Sequence, residues 1–428
     1  MGKRKEIKLK WRRLDNTANI YPVVSSRKLS NVYRVSIVLK EPVVRELLQQ
    51  ALETIIPWFD LFNVRLRRGV FWYYFETNKK TPLVEEEVVY PCRFMDPYGN
   101  GQYLFRVSFY DRRINLEVFH ALTDGAGAMN FLKELAYQYI RLAHPQAFSG
   151  TPDGPTRECI FDMEDSYLKY YKKTGAKGYR REKAYQLKGN MLASPCIGIL
   201  HGYMDVGQVK EAGRKYQASI TQYFTAVIIW SIYTECLNMQ KSRRPIVINI
   251  PVNLRQFFPS TTTMNFFGIV LVRFDMKKNG YTFQEILDVV ADAMKEQLNI
   301  PHMEDLISYN VSNEKNGLIR RIPLFIKNMG IKWIYSRSSK SFTTTVSNVG
   351  IVKTLPEYEP YIDRCHVTMG VSKKQPFKCG VVSYQGRIAF TISSVLADTR
   401  VQRSFFRKLA EDGIHVELES NGVYDETL

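Results

Sequence analysis

Short strand-type stretches alternate with amphipathic helical stretches along both halves of this sequence. In the first half, Tyr33 to Lys40 alternates apolar and polar residues, and apolar residues recur at helical spacing from Pro42 to Ile55. In the second half, strand-like stretches at 245–253 and 267–275 precede a helical stretch at 282–298. Such alternation restricts a chain to sheets whose faces are covered by helices. We therefore predict an α/β architecture.

A stretch rich in proline and glycine separates the two halves. Residues 144–188 contain Pro145, Pro152 and Pro155, a composition typical of a linker. The 428 residues also exceed the length at which one hydrophobic core usually stops growing. We therefore predict two domains, residues 1–175 and 176–428.

One aromatic stretch and two helical stretches also give predictions. Val70 to Glu76 is predicted to be an aromatic strand packed in the core, with a role in lining a substrate pocket as the alternative. A long amphipathic helix is predicted after Gly125, and it should end at Pro145. In the second half, a buried helix is predicted from Gln222 to Leu237.

The charge of the chain restricts its partners. The formal net charge is +18, with basic residues spread along the sequence. Positive charge favours anionic partners, whereas its scattered distribution argues against nucleic acid. Lys373, Lys374 and Lys378 suit either the phosphates of coenzyme A or solvent. The segment from Leu318 to Tyr335 mixes apolar and basic residues, which leaves peripheral membrane contact and a solvated surface open.

The cysteines and histidines are dispersed along the sequence. Neither the six cysteines nor the six histidines show the spacing of a metal site, and no close cysteine pair suggests a disulfide framework. The sequence shows no secretory signal and no apolar stretch long enough to cross a bilayer. We therefore expect a cytoplasmic protein without a metal site, in contact with membranes at its surface at most.

The motif with the clearest chemical meaning runs from His120 to Gly125 and reads His-Ala-Leu-Thr-Asp-Gly. Histidine is mostly neutral yet basic at neutral pH, because its unperturbed pKa is about 6.5. An imidazole at the end of a strand can remove the proton of a hydroxyl that attacks a carbonyl carbon. From spacing alone, Asp124 either orients the imidazole or pairs with a cation. A structural histidine followed by an ordinary Asp-Gly turn explains the same pattern.

This motif resembles the HxxxDG signature of the chloramphenicol-acetyltransferase-like superfamily, which includes alcohol acetyltransferases and the condensation domains of peptide synthetases. Phe119 stands where condensation domains carry a first histidine, so the alcohol-acetyltransferase-like branch is the best match. Further stretches resemble family segments in the expected order: Arg13-Leu14-Asp15-Asn16, Pro251-Val252-Asn253-Leu254-Arg255, Asn265-Phe266-Phe267-Gly268 and Thr345-Val346-Ser347-Asn348-Val349-Gly350.

The resemblance implies a fold and a set of residue roles. It implies two chloramphenicol-acetyltransferase-like domains, each a mixed β-sheet flanked by helices, with a channel between them. His120 would be the general base of a catalytic motif completed by Asp124 and Gly125. By the same resemblance, Asp124 would form a salt bridge that shapes the histidine loop. Arg255 is its expected partner, and a solvent-facing arginine at that position is the alternative.

A tetrahedral oxyanion needs a hydrogen-bond donor aimed at it. Ser347 and Asn348 are candidates because they supply hydroxyl and amide donors, and an ordinary polar strand end is the alternative.

The predicted activity is acyl-CoA-dependent O-acyl transfer, with acetyl-CoA as the first expected donor. Acyl-CoA would be a co-substrate rather than a permanently bound cofactor, and the acceptor would be a small alcohol or a lipid-like molecule. Two alternatives stay open. An acidic acyl carrier protein would supply the acyl group, or the chain would be a catalytically silent binding protein with the same fold.

Overall fold

The computed structural model describes residues 10–175 and 182–424, which form a mixed α/β structure. Its strands are β1 Trp11–Arg13, β2 Val32–Leu39, β3 Val64–Arg68, β4 Tyr73–Thr77, β5 Val84–Glu86, β6 Phe105–Tyr110, β7 Arg113–Phe119, β8 Gly198–Asp205, β9 Ile246–Asn253, β10 Phe267–Phe274, β11 Thr344–Ile351, β12 Ile362–Met369, β13 Phe377–Tyr384, β14 Arg387–Ser394 and β15 Glu417–Ser420. Its α-helices are α1 Tyr21–Val24, α2 Arg45–Ile55, α3 Gly125–Ala143, α4 Ser166–Lys169, α5 Val206–Lys215, α6 Ile220–Leu237, α7 Phe283–Gln297, α8 Ile300–Lys315, α9 Gly317–Arg321, α10 Leu324–Ser338 and α11 Arg400–Glu411. Short 3-10 turns lie at Ile56–Trp58, Asn100–Gln102, Leu254–Gln256 and Glu359–Tyr361.

A five-stranded sheet carries the strand that leads to His120. Its order is β12-β2-β7-β6-β5, and all of its pairs are antiparallel except β5–β6. β6 and β7 form a hairpin that reverses at Asp111 and Arg112, with Asp111 in the left-handed region at φ 48°. Helices α2 and α3 pack against each other, and α3 lies against β2 and β7. The end of β7 is therefore held between a sheet and a long helix.

A seven-stranded sheet dominates the second half of the chain. Its order is β10-β9-β11-β13-β14-β8-β15, with β11 parallel to both of its neighbours. Helices α6, α7 and α11 cover one face of this sheet. The predicted buried helix is α6, and it starts at Ile220 because Ser219 and Gln222 form a capping box at its first turn.

One strand crosses between the two halves. β12 comes late in the sequence, yet it pairs antiparallel with β2 in the sheet of the first half. The strands therefore do not divide into two sets at residue 175. The domain boundary stays a prediction, and residues 176–181 beside it lie outside the described part of the chain.

The aromatic stretch at 70–76 is only partly a strand. β4 begins at Tyr73, and Tyr73 and Phe75 are buried as predicted. Val70 and Trp72 are 71% and 42% exposed, so the prediction that Trp72 packs in the core is wrong. The reason is a turn: the Gly69 N–H donates to the Trp72 carbonyl at 2.9 Å, which closes the β3–β4 connection.

All six cysteines are free thiols. In residues 10–175 and 182–424, we find no helix with both the length and the apolar character that crossing a bilayer requires.

Candidate active site

His120 lies directly after β7, where the first sheet meets residues of the second half. Its backbone N–H donates to the Asn31 carbonyl at 3.0 Å. Its ring stacks on Tyr21, with centroids 4.6 Å apart and planes 12° apart, and it packs at a tilt against Tyr33 and Phe267. The residue is nevertheless partly exposed to solvent. The three aromatic neighbours thus hold the imidazole in a fixed plane.

A hydrogen-bond network determines which nitrogen of His120 is free. The Asn265 amide nitrogen donates to Asp15 Oδ2 at 2.9 Å and to the His120 carbonyl at 3.3 Å. The Asn265 oxygen therefore faces the ring, 3.2 Å from His120 Nδ1. Because an amide oxygen only accepts, Nδ1 carries the proton and Nε2 keeps its lone pair. This is the tautomer that a general base requires.

Asp15 anchors the far end of this network. It is completely buried and also accepts from the Ala18 N–H at 2.8 Å. Burial raises the pKa of its carboxyl to about 7, while the hydrogen bond from Asn265 opposes that rise. Asp15 and Asn265 both lie in segments that resemble family segments, but the sequence predicts no role for either residue.

The surroundings keep His120 neutral. Burial lowers the pKa of His120 below its ordinary value of 6.5, against the opposing effects of its own carbonyl, of Asp124 and of Asn265. The positive charge of Lys378 lowers the pKa of His120 further. A neutral imidazole with a free Nε2 can accept a proton at neutral pH.

Asp124 faces away from the imidazole and caps helix α3. Its Oδ1 accepts from the N–H groups of Ala126 and Gly127, both at 3.1 Å. Its Oδ2 accepts from the Phe266 N–H at 2.9 Å and from Arg255 Nη1 at 2.8 Å. Of the two arrangements that the spacing allowed, the structure has the one in which Asp124 pairs with a cation.

Arg255 ties the histidine loop to the loop that carries Asn265. Besides Asp124, its guanidinium donates to Asn253 Oδ1 and to the carbonyls of Thr262 and Met264, at 2.8 to 3.1 Å. Its side chain is 14% exposed, so the guanidinium does not face solvent. Breaking a buried pair of this kind typically costs about 3–5 kcal/mol, because one charge is left unpaired.

The two glycines after Asp124 differ in their surroundings. A Cβ on Gly125 would meet Val349 Cγ2 at 3.5 Å, an ordinary contact. A Cβ on Gly127 would overlap the Thr123 hydroxyl oxygen and the Thr263 carbonyl. The close approach of α3 to the second half therefore depends on Gly127, although the motif directs attention to Gly125.

Ser347 and Asn348 lie on β11, whose end contacts the start of α3 through Val349. The Asn348 amide donates to Thr221 Oγ1 at 3.0 Å, and its oxygen accepts from the Gly350 N–H at 2.9 Å. These contacts direct Asn348 toward α6, and neighbouring strand residues point to opposite faces. Ser347 is partly exposed on the other face, so it is the better oxyanion candidate of the two.

Lys378 is the basic residue whose charge acts on the pKa of His120. Lys373 and Lys374 are exposed, whereas Lys378 lies on β13 between Thr345 and Ser393 of the neighbouring strands. Burial lowers the pKa of Lys378 to about 8. Within the described chain we find no ion-pair partner for its ammonium group and no cluster of residues able to hold a metal ion.

No protein-family model matches this sequence, and neither does any curated protein sequence. Solved structures do match. The polyketide synthase associated protein 5 from Mycobacterium tuberculosis has a TM-score of 0.62 and 12% identity, covering 93% of this chain and 97% of that chain. The first condensation domain of the calcium-dependent antibiotic synthetase has a TM-score of 0.61 and 11% identity, covering 94% of this chain and 96% of that chain. F. sporotrichioides TRI101, complexed with coenzyme A and T-2, has a TM-score of 0.59 and 13% identity, covering 94% of this chain and 97% of that chain.

These similarities establish the fold. The chain has the two-lobed fold of condensation domains and chloramphenicol-acetyltransferase-like proteins, with mixed sheets flanked by helices. The predicted fold class is therefore confirmed. At identities of 11–13%, the similarity extends to the fold and not to a substrate.

Proposed function

We propose that this protein is an acyltransferase that moves an acyl group from acyl-CoA to an acceptor hydroxyl, with His120 as general base. The observation that carries the proposal is the imidazole of His120, which burial keeps neutral and whose Nδ1 is engaged by Asn265, leaving Nε2 free to accept a proton. The presence of coenzyme A in the TRI101 structure supports a coenzyme A thioester as donor.

The residues divide the chemistry as follows. His120 Nε2 removes the proton of the acceptor hydroxyl while the hydroxyl oxygen attacks the thioester carbonyl carbon. The resulting oxyanion accepts a hydrogen bond from Ser347. When the tetrahedral intermediate collapses, the C–S bond breaks and the departing thiolate takes the proton from the imidazolium. Asp124 and Arg255 shape the loop and do not contact the reacting atoms, and Gly125 opens α3 beside that loop. Donor and acceptor would enter a channel between the lobes from opposite faces.

Two other functions fit the same fold. A carrier-protein donor suits the net charge of +18, because acyl carrier proteins are acidic. A silent binding protein would keep the Asp124–Arg255 pair for its structural effect alone. The first alternative changes the donor and leaves the role of His120 unchanged, whereas the second removes that role.

Release of free thiol from acetyl-CoA, in the presence of a panel of alcohols, tests the proposal. His120→Ala should reduce turnover about 10²- to 10⁴-fold, the usual contribution of a general base. His144→Ala is the matched control, since the partly exposed His144 ring lies beside Glu41 and packs against Tyr361 rather than against residues of the site. Thiol release that survives in His120→Ala contradicts the proposed base. Turnover with an acylated carrier protein but not with acetyl-CoA would replace the donor and retain the base.

A further inference from the structure

Helix α10 has apolar residues both on the side that faces the protein and on the side that faces solvent. Surface helices normally bury one apolar stripe and present polar residues to water. In α10, Leu324 is buried and Ile331 packs against the core of the first half. Phe325, Met329 and Trp333 follow each other at four-residue spacing and are 59%, 70% and 62% exposed. Because residues four apart share one side of a helix, these three form an apolar stripe that faces solvent.

The β3–β4 turn extends this stripe. The Leu324 N–H donates to the Val70 carbonyl at 2.8 Å, and Lys327 Nζ donates to the Phe71 carbonyl at 3.0 Å. The turn therefore sits against the beginning of α10 with its own apolar side chains exposed. We use the term docking face for the exposed apolar residues of these two elements: Val70, Phe71, Trp72, Phe325, Ile326, Met329, Trp333 and Ile334.

Positive charge surrounds the docking face. The sequence from Asn316 to Pro356 contains no aspartate or glutamate. The Arg13 guanidinium lies over the Trp72 ring, 5.1 Å from its centroid. Within the described residues, none of the following basic residues around α10 forms an ion pair: Arg320, Arg321, Lys327, Lys332, Arg337 and Lys340.

We propose that the docking face binds the surface of a membrane that contains anionic lipids. Contiguous exposed apolar patches of this kind mark interaction sites. Aromatic and aliphatic side chains that project between lysines and arginines match the interface of a bilayer, where rings settle among headgroups and cations meet phosphates. The charge balance selects anionic over zwitterionic lipid, because no carboxylate lies between Asn316 and Pro356 to offset it.

The docking face also lies next to the site. The other side of α10 packs on α1, and Tyr21 of α1 stacks on His120. A membrane held at this face would bring a lipid-like acceptor close to the imidazole. That consequence rests on the proposed function, whereas membrane binding itself does not.

Flotation of the 428-residue chain with lipid vesicles tests the proposal without any assay of catalysis. The chain should float with vesicles of phosphatidylcholine containing roughly one third phosphatidylglycerol, and much less with phosphatidylcholine alone. High salt should weaken the binding, because screening reduces the contribution of the cations. A wild-type chain that does not associate with the anionic vesicles overturns the proposal.

Two double variants separate the apolar and the ionic contributions. Phe325→Ser/Trp333→Ser removes apolar side chains, and Lys332→Glu/Arg337→Glu reverses two charges; each should weaken partitioning by about tenfold or more. Val88→Ser/Leu418→Ser is the matched control, since both are exposed apolar residues outside the docking face, Val88 in the loop after β5 and Leu418 on β15. Its partitioning should equal that of the wild type.

The same variants distinguish other occupants of the docking face. Vesicle binding that is unchanged in Phe325→Ser/Trp333→Ser contradicts the proposal. If that variant instead lowers the molar mass measured by light scattering, the docking face joins two copies of the chain and the membrane assignment is wrong. Thiol release with a water-soluble alcohol should stay at the wild-type level in both double variants, so a failure of membrane binding and a failure of the acyltransferase proposal give different results.

Discussion

Asn265 connects His120 to Asp15, and this position gives it a specific effect on the imidazole. Replacement by alanine removes the acceptor that selects the Nδ1–H tautomer. We predict that Asn265→Ala lowers kcat by about 10- to 100-fold with little change in KM, because the base is then poorly oriented. The hydrogen bond that His120 Nδ1–H donates to the Asn265 oxygen raises the pKa of His120, so its loss should move the acidic limb of the kcat–pH profile to lower pH.

Asn130→Ala provides the control for Asn265. Asn130 is also buried, and it is hydrogen-bonded to Ile160 rather than to His120. A purely structural effect would lower activity in both variants and leave the pH profile in place. An unmoved acidic limb in Asn265→Ala would therefore contradict the positioning role.

Lys378 acts on the same imidazole with the opposite sign. Its positive charge lowers the pKa of His120. We predict that Lys378→Met raises the pKa of His120 and moves the acidic limb of the kcat–pH profile to higher pH, because the nearby positive charge is removed. Lys374→Met, at an exposed position near Lys378 in the sequence, should leave the limb unchanged. A limb that moves equally in both variants would contradict a local effect.

The sequence could predict the residues of the motif better than the network around it. Asp124 and Arg255 could be paired in advance because each belongs to a recognisable segment. The contact of Asn265 with Asp15 joins residues 250 positions apart, and no local pattern encodes it. The engagement of Asn348 with Thr221 depends on which face of β11 points to α6, and spacing alone does not decide this.

At the scale of elements, the start of α3 depends on close packing against the second half. A methyl group at Gly127 would overlap the Thr263 carbonyl, and α3 would have to move away from that loop. We predict that Gly127→Ala lowers the free energy of unfolding by about 1–3 kcal/mol, the usual range for overpacking. Gly125→Ala should change it by less than about 1 kcal/mol, because alanine makes only an ordinary contact there and favours the helix. Urea unfolding of both variants measures the difference, and equal stabilities would contradict the packing argument.

Amphipathic stretches and the long apolar stretch of α6 could be predicted from sequence, whereas helix α10 could not. The hairpin of β6 and β7 and the helices α3 and α6 follow from alternation, capping residues and length. Helix α10 escaped prediction because its apolar residues point both inward and outward, which removes the contrast that marks a helix. At Val70 to Trp72, aromatic composition suggested a buried strand, whereas the turn at Gly69 exposes these side chains.

At the scale of the whole molecule, a buried polar cluster joins the two sheets. His201 on β8 lies 4.4 Å from His366 on β12, measured between ring centroids. His201 Nδ1 is 2.8 Å from Thr391 Oγ1, and His366 Nε2 is 2.7 Å from the Tyr203 hydroxyl. Because β12 belongs to the first sheet and β8 to the second, the cluster links the lobes at the same place as the crossing strand.

This cluster makes the stability of the molecule sensitive to acid. Burial lowers the pKa of His201 to about 3, helped by the positive charges of Arg113, Arg34 and Arg364, and it lowers the pKa of His366 well below 6.5. Both rings are therefore neutral in the folded chain and protonate readily when it unfolds. Their contribution to the free energy of unfolding is fully present above the pKa of about 6.5 that histidine has in the unfolded chain. It is lost as the pH falls from there toward the lower pKa of the folded chain.

We predict that the free energy of unfolding falls by about 3 kcal/mol between pH 7 and pH 4 through His201 alone. The pH dependence should be smaller in His201→Gln/His366→Gln, whose side chains do not titrate, even though that variant is less stable at pH 7. Asp15 works in the other direction, because its raised pKa favours the folded state at acidic pH, but it does so equally in both proteins. Urea unfolding across this range measures the difference, with His415→Gln at an exposed position as control. Parallel curves for the wild type and the double variant would show that protonation of these rings does not limit the acid stability of the two lobes.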